Sequence, residues 1–138
     1  MQREIKFRGK TDSGIWIYGY LIVMPNGDCG IFEIGDIEAG ASDVNPKTVG
    51  QFTGLHDRNG KEIYEGDILK EWGDFNYYWE RHYYVEYLKY TYGSNTYIRW
   101  RTKGIDEKGV GELSIHSVYN NDVIGNIHDN QELINNQQ

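Results

Sequence analysis

The sequence predicts a small all-β (mainly β) protein, a barrel or sandwich of short strands, and three observations carry that prediction. Short runs of alternating apolar and polar residues recur along the chain, each bounded by Gly, Asn, Asp or Ser. Twelve tyrosines and four tryptophans in 138 residues favour pleated surfaces, where aromatic rings pack against cross-strand neighbours. The spacing of strands by turns, without long helical periods between them, argues against a βαβ arrangement.

The first strand is "REIKFRGK", in which Ile5 and Phe7 alternate with Glu4, Lys6 and Arg8. If Ile5 and Phe7 face the core, Lys6, Arg8 and Lys10 share the outer face. Thr11-Asp12-Ser13-Gly14 supplies a turn into "IWIYGYLIVM", which completes a hairpin. That second strand has Ile15, Ile17, Leu21 and Val23 on one face and Trp16, Tyr18, Tyr20 and Ile22 on the other. With both faces apolar or aromatic, one is expected on the core and the other against a further layer or another subunit. Pro25-Asn26-Gly27-Asp28 turns the chain again before "CGIFEI". The tract "GDIEAGASDVNPKT" is acidic and rich in small residues, and reads as a connecting loop that ends near Asn45-Pro46. It sets the expected boundary between an N-terminal β segment, 1–47, and the remainder, 48–138.

In the central stretch, "QFTGLHD" and "KEIYEGDIL" read as two short extended pieces joined at "RNG", where Asn59-Gly60 signals a type I′ hairpin turn. Glu65-Gly66 gives a second reversal before a strand over 67–72. In the Tyr-rich segment that follows, the alternation of Tyr83, Val85 and Tyr87 favours a strand over a helix. Gly93-Ser94-Asn95 is a hairpin loop into a strand over 96–101, and "GELSIHSV" and "DVIGNI" follow. The end, "DNQELINNQQ", predicts one helical turn capped by Asp129 or Asn130, then a polar tail.

Composition narrows the chemistry. Cys29 stands alone, so an intramolecular disulfide or thiolate metal cluster is excluded and a reducing interior is the simplest setting. "MQREIKFRGK" is charged from its third residue, and the longest aliphatic run, "LIVM", is far too short for a bilayer, so a cytoplasmic protein without membrane attachment is expected. His56, His82, His116 and His128 show no H-x-x-x-H spacing, and Walker, dinucleotide and G-x-S-x-G patterns are absent, so no metal, cofactor or catalytic residue is expected. The central stretch does gather His56, Asp57, Glu62, Glu65 and Asp67, but paired-carboxylate chemistry on Glu62 and Glu65 needs a cleft and a set separation, and solvated carboxylates are the simpler expectation.

Binding is the better prospect. The net charge of −7 disfavours general attraction to phosphate backbones, yet residues 1–24 carry four basic and two acidic groups while 25–48 carry one basic and five acidic. Two basic stripes, Lys6, Arg8 and Lys10 and then Arg99, Arg101 and Lys103, would merge on adjacent strands into a patch for nucleic acid or an acidic protein. The simpler expectation is a solvated face balanced by neighbouring acids. Trp72, Phe75, Tyr77, Tyr78 and Trp79 are more rings than a small barrel can enclose. With Trp16, Tyr18 and Tyr20 they are candidate protein contacts.

The stretch "TVGQFTGLHDRNGKEIYEGDIL", 48–69, together with "REIKFRGK", "WIYGYLI" and "VIGNIHDNQELI", resembles the YopX family of small bacteriophage and prophage proteins. The resemblance covers nearly the whole chain, with a variable middle from about 74 to 118. Where the family pattern has Asn-Pro-Glu-Leu near the end, this chain has Asn130-Gln131-Glu132-Leu133. The resemblance implies an SH3-like small barrel in the C-terminal part, 48–138, with the N-terminal β segment attached, and it brings no catalytic residues. The expected function is thus a non-enzymatic phage or prophage accessory protein, an interaction module that forms a homo-oligomer and can take a host or phage protein as partner. A nucleic-acid-binding barrel is the alternative. A small hydrolase comes third, since it needs a His and a carboxylate meeting in a cleft.

Overall fold

The computed structural model describes residues 4–72, 80–104, 110–112 and 121–135. They form the expected all-β fold, two sheets in which every described register is antiparallel. The first sheet contains β1 (Phe7–Lys10), β2 (Trp16–Val23), β3 (Cys29–Glu33), β4 (Ala41–Val44), β5 (Gly50–His56) and β6 (Glu62–Tyr64), in the order β4-β3-β2-β1-β5-β6. The second contains β7 (Asp67–Trp72), β8 (Glu80–Tyr92), β9 (Asn95–Gly104), β10 (Val110–Glu112) and β11 (Asn121–Asn126), in the order β10-β9-β8-β7-β11. A short helix, α1 (Gln131–Asn135), follows. The chain divides into two compact units, Met1–Gly54 and Leu55–Gln138, and the division falls inside β5.

Three loops close in the same way. In residues 11–15, 24–28 and 57–61 the first N–H donates to the last carbonyl, at 2.9, 2.8 and 2.8 Å. The glycine in fourth place donates back to the first carbonyl, at 2.9, 2.8 and 3.0 Å. Gly14, Gly27 and Gly60 hold φ of 90°, 93° and 84°, so each loop is a turn followed by one left-handed residue, where glycine carries no Cβ penalty. The two-residue turn expected at Asn59-Gly60 is therefore a three-residue loop, Arg58-Asn59-Gly60. Its longer form is fixed by Asp57, whose Oδ1 accepts from the Asn59 and Lys61 N–H groups at 2.8 and 2.9 Å.

In the first unit β2 pairs with both β1 and β3, with Tyr18 opposite Arg8 and Tyr20 opposite Phe32. The tract expected to be a loop is in part a strand. Ala41 pairs with Phe32 and Ser42 with Ile31, flanked by 3₁₀ turns at Ile37–Ala39 and Pro46–Thr48. Small residues at β4 let it approach closely without leaving an alternating apolar signature. Its end curls back onto β1: the Asn45 N–H donates to the Lys10 carbonyl at 2.8 Å, and Thr48 Oγ1 accepts from the Lys10 N–H at 2.8 Å. Val44 then sits against Gly9, where an added Cβ would lie 2.8 Å from Val44 Cγ2, and with Ile31 and Phe52 it is the buried apolar content of the unit.

The second unit is a meander, β7 to β10, whose last strand, β11, returns to pair with β7. That order is the one an SH3-type small barrel uses, and among the described residues the sheet stays open between β10 and β11. Ile63, Leu69 and Val85 form its core, with Leu55 and Val123 packed against them. The Tyr-rich segment is strand β8, joined to β9 by the two-residue loop Gly93-Ser94 with Gly93 at φ 64°.

Candidate functional site

The acids that crowd the central stretch hold the fold. Asp57 is 7% exposed and Asp67 2% exposed, so both are enclosed rather than solvated. Besides its two loop amides, Asp57 accepts the Val123 N–H on Oδ2 at 2.9 Å, which ties the 57–61 loop to β11. The neighbouring Arg58 grips Asp122 with two hydrogen bonds, Nε to Oδ1 at 2.7 Å and Nη2 to Oδ2 at 3.0 Å, and Asn59 Nδ2 adds a third to Oδ1 at 2.8 Å. Asp67 Oδ2 accepts the Tyr64 N–H at 2.7 Å and so closes the Glu65-Gly66 reversal. Gly66 is held from both sides: its N–H donates to the Val85 carbonyl at 2.8 Å and its carbonyl accepts the Ile127 N–H at 2.9 Å.

A second knot follows β11. Asn126 Oδ1 accepts the His128 and Asp129 N–H groups at 3.0 and 2.9 Å. Asn130 Oδ1 accepts the Asn126 N–H at 3.0 Å. Glu62 and Glu65 are half-buried, and the Tyr64 hydroxyl donates to Glu62 at 3.4 Å. His56 is exposed at the end of β5, while His82 and His128 are half-buried and His116 lies outside the described residues. Among the described residues no group of three His, Cys, Asp or Glu side chains is placed to hold a metal ion.

The basic stripe on β1 is turned the other way from the sequence expectation. Ile5 is 51% exposed, whereas Lys6 and Arg8 are 8% and 5% exposed. Their charges rest on rings: Lys6 Nζ lies 4.8 Å from the centre of Phe52, and the Arg8 guanidinium carbon lies 4.8 Å from the centre of a Trp16 ring. Lys10 Nζ stands 5.9 Å from Trp16, and Lys6 also pairs with Glu4 at 2.9 Å. An aromatic face accepts the alkyl stem of a basic side chain and its charge together, so these residues can be covered where Ile5 is not. The second stripe, Arg99, Arg101 and Lys103, lies on β9 in the other sheet, so the two stripes do not merge through adjacent strands. Arg101 is the register partner of Glu86 on one side and Glu112 on the other.

Of the aromatic candidates, Tyr18 and Tyr20 are 41% and 47% exposed, and Trp16 is half-buried beneath the basic groups. Ile22, next on the same face of β2, is 40% exposed. Trp72 ends β7, with its side chain outside the described residues, as are Phe75, Tyr77, Tyr78 and Trp79 entirely. Sequence reasoning missed Ile34 and Ile37, 44% and 58% exposed, which stand among acids in the tract read as a loop. The Ile34 N–H donates to the Tyr18 carbonyl at 3.2 Å, which brings it to the margin of the tyrosine face.

The match to known families bears on this arrangement. The family model for the YopX protein fits residues 6–135, from the ring-bound Lys6 through both knots to the end of α1. The chain belongs to the YopX family. No curated protein matches it. The matched span takes in the hydrogen-bonded framework, including the Asp57 loop, the Gly66 reversal and the Asn126 knot. Among the described residues, no helix is long and apolar enough to cross a membrane.

Proposed function

We propose that this YopX protein is a non-enzymatic interaction module of a phage or prophage, and that its first partner is a second copy of itself. One observation carries the proposal. In the first unit Tyr18, Tyr20 and Ile22 form a continuous exposed stripe on β2, while the buried apolar residues among those described there are Ile31, Val44 and Phe52. A sheet with so small a core and a tyrosine-rich outer face gains stability when that face is covered, and tyrosines are frequent anchors at interfaces. Enzymatic readings draw no support from the central stretch, because Asp57 and Asp67 accept backbone amides that the fold needs. The nucleic-acid alternative has three of its six basic groups against rings, and its two stripes occupy different sheets.

Sedimentation of the full chain from about 1 to 500 μM tests the proposal, a range that spans weak to moderate self-affinity. A concentration-dependent oligomer is expected, and Tyr18→Ser with Tyr20→Ser is expected to weaken it by about tenfold or more. A strictly monomeric wild-type chain at the highest concentration would end the reading.

A further inference from the structure

The β8–β9 hairpin is longer than the sheet that holds it. β7 pairs with β8 only over 80–84, and the Gly66 N–H takes the Val85 carbonyl. β10 pairs with β9 only over 101–103. Beyond those points six register pairs continue, from Tyr87 opposite Trp100 to Tyr92 opposite Asn95. Among the described residues this stretch of β8 has β9 as its one strand neighbour. At about 3.3 Å per residue the ribbon is roughly 20 Å long. An isolated two-stranded ribbon is marginal in water, and seven of these twelve strand positions are aromatic or aliphatic, so the arm is built to be covered. Tyr87, on the arm, is 51% exposed, and the tip residues Gly93, Ser94 and Asn95 are exposed.

Charge names the occupant. Residues 86–103 carry four basic groups against the single acid Glu86, in a chain whose net charge is −7. Residues 25–48 carry five acids against Lys47, and all five acids are exposed. Two of the exposed apolar side chains, Ile34 and Ile37, stand within that acidic tract beside Glu33, Asp36 and Glu38. An aromatic arm with basic residues and an acidic rim around aliphatic side chains are complementary in both polarity and charge. We infer that the β8–β9 arm of one copy seats on the acidic 33–38 tract of a second copy. This rests on the self-association reading and adds a second pair of meeting surfaces to the tyrosine face of β2.

The experiment is a charge swap between copies, read by sedimentation of full-length chains. The arm variant carries Arg99→Glu and Arg101→Glu; the tract variant carries Asp36→Lys and Glu38→Lys. Each variant alone is expected to associate about tenfold or more weakly than wild type, because like charges then face each other. An equimolar mixture is expected to recover wild-type association, since each arm meets a tract of opposite charge. Wild-type association is expected to weaken toward about 1 M salt, where screening is strong. Circular dichroism checks that each variant folds, and Arg99→Gln with Arg101→Gln replaces the arm variant if it does not.

If both variants associate as wild type does, the copies meet elsewhere, which overturns this inference and leaves self-association standing. A mixture that remains monomeric overturns it too, because opposite charges on arm and tract then fail to bring two copies together. A monomeric wild type that binds a DNA duplex through Arg99 and Arg101 overturns both the inference and the reading beneath it.

Discussion

The carboxylate of Asp57, only 7% exposed, accepts three backbone N–H groups, from Asn59, Lys61 and Val123. Asp57→Ala would leave those donors without their acceptor. Charge-assisted bonds and unsatisfied buried donors are each worth a few kcal/mol, so a loss of about 3 kcal/mol is expected in urea unfolding. Asp57→Asn keeps the shape but aims an NH₂ at one of the three donors, and should fall between Ala and wild type. Arg58→Ala serves as the contrast: its bidentate grip on Asp122 has a side chain 43% exposed, so a loss of about 0.5 to 1 kcal/mol is expected. Equal losses for Asp57→Ala and Arg58→Ala would contradict the framework role of Asp57. Part of this was legible in "HDRNG", because Asp followed by a turn ending in Gly is a loop-forming pattern. The bond to Val123 was not, since it joins residues 66 apart and depends on how β11 docks.

At the scale of elements, glycines that look alike in sequence do different jobs. Gly27 holds φ 93° in a loop with open space around it, so Gly27→Ala incurs only the left-handed penalty, about 1 kcal/mol. Gly19 lies within β2, where an added Cβ would collide with the carbonyl of Phe32 on β3, a backbone atom that cannot rotate away. Gly19→Ala is therefore expected to cost about 3 kcal/mol or more by forcing the two strands apart. Thermal melts of both variants check the order, and a Gly19→Ala chain as stable as Gly27→Ala would mean that β2 and β3 are spaced more widely. The turn positions were readable because Ser-Gly and Asn-Gly carry local chemistry. The strand β4 was not, because "ASDV" has no alternation and its pairing is imposed by Phe32 and Ile31. The face of β1 was misjudged for a related reason: Lys6 and Arg8 outcompete Ile5 for cover only when Phe52 and Trp16 are beside them.

For the whole molecule, the division of apolar side chains between the two units decides the behaviour. The second unit buries Ile63, Tyr64, Ile68, Leu69 and Val85, whereas the first buries Ile31, Val44 and Phe52 and exposes, among others, Tyr18, Tyr20, Ile22 and Val23. The all-β class and most of the strands along the chain followed from short alternating runs and their turns. Which alternating face met water did not, because both faces of "WIYGYLIV" are apolar and a second copy is not written in one chain. If a partner copy covers that face, part of the stability belongs to the assembly and must follow mass action. Raising the concentration a hundredfold, from about 1 to 100 μM, adds at most about 2.7 kcal/mol to a dimer, or roughly half that per chain. For a chain of 138 residues this corresponds to a rise in Tm of about 5 °C. Scanning calorimetry at the two concentrations reads it directly. The rise should shrink in the Tyr18→Ser, Tyr20→Ser chain, whereas a wild-type Tm independent of concentration would show that the first unit is stable with its tyrosine face in water.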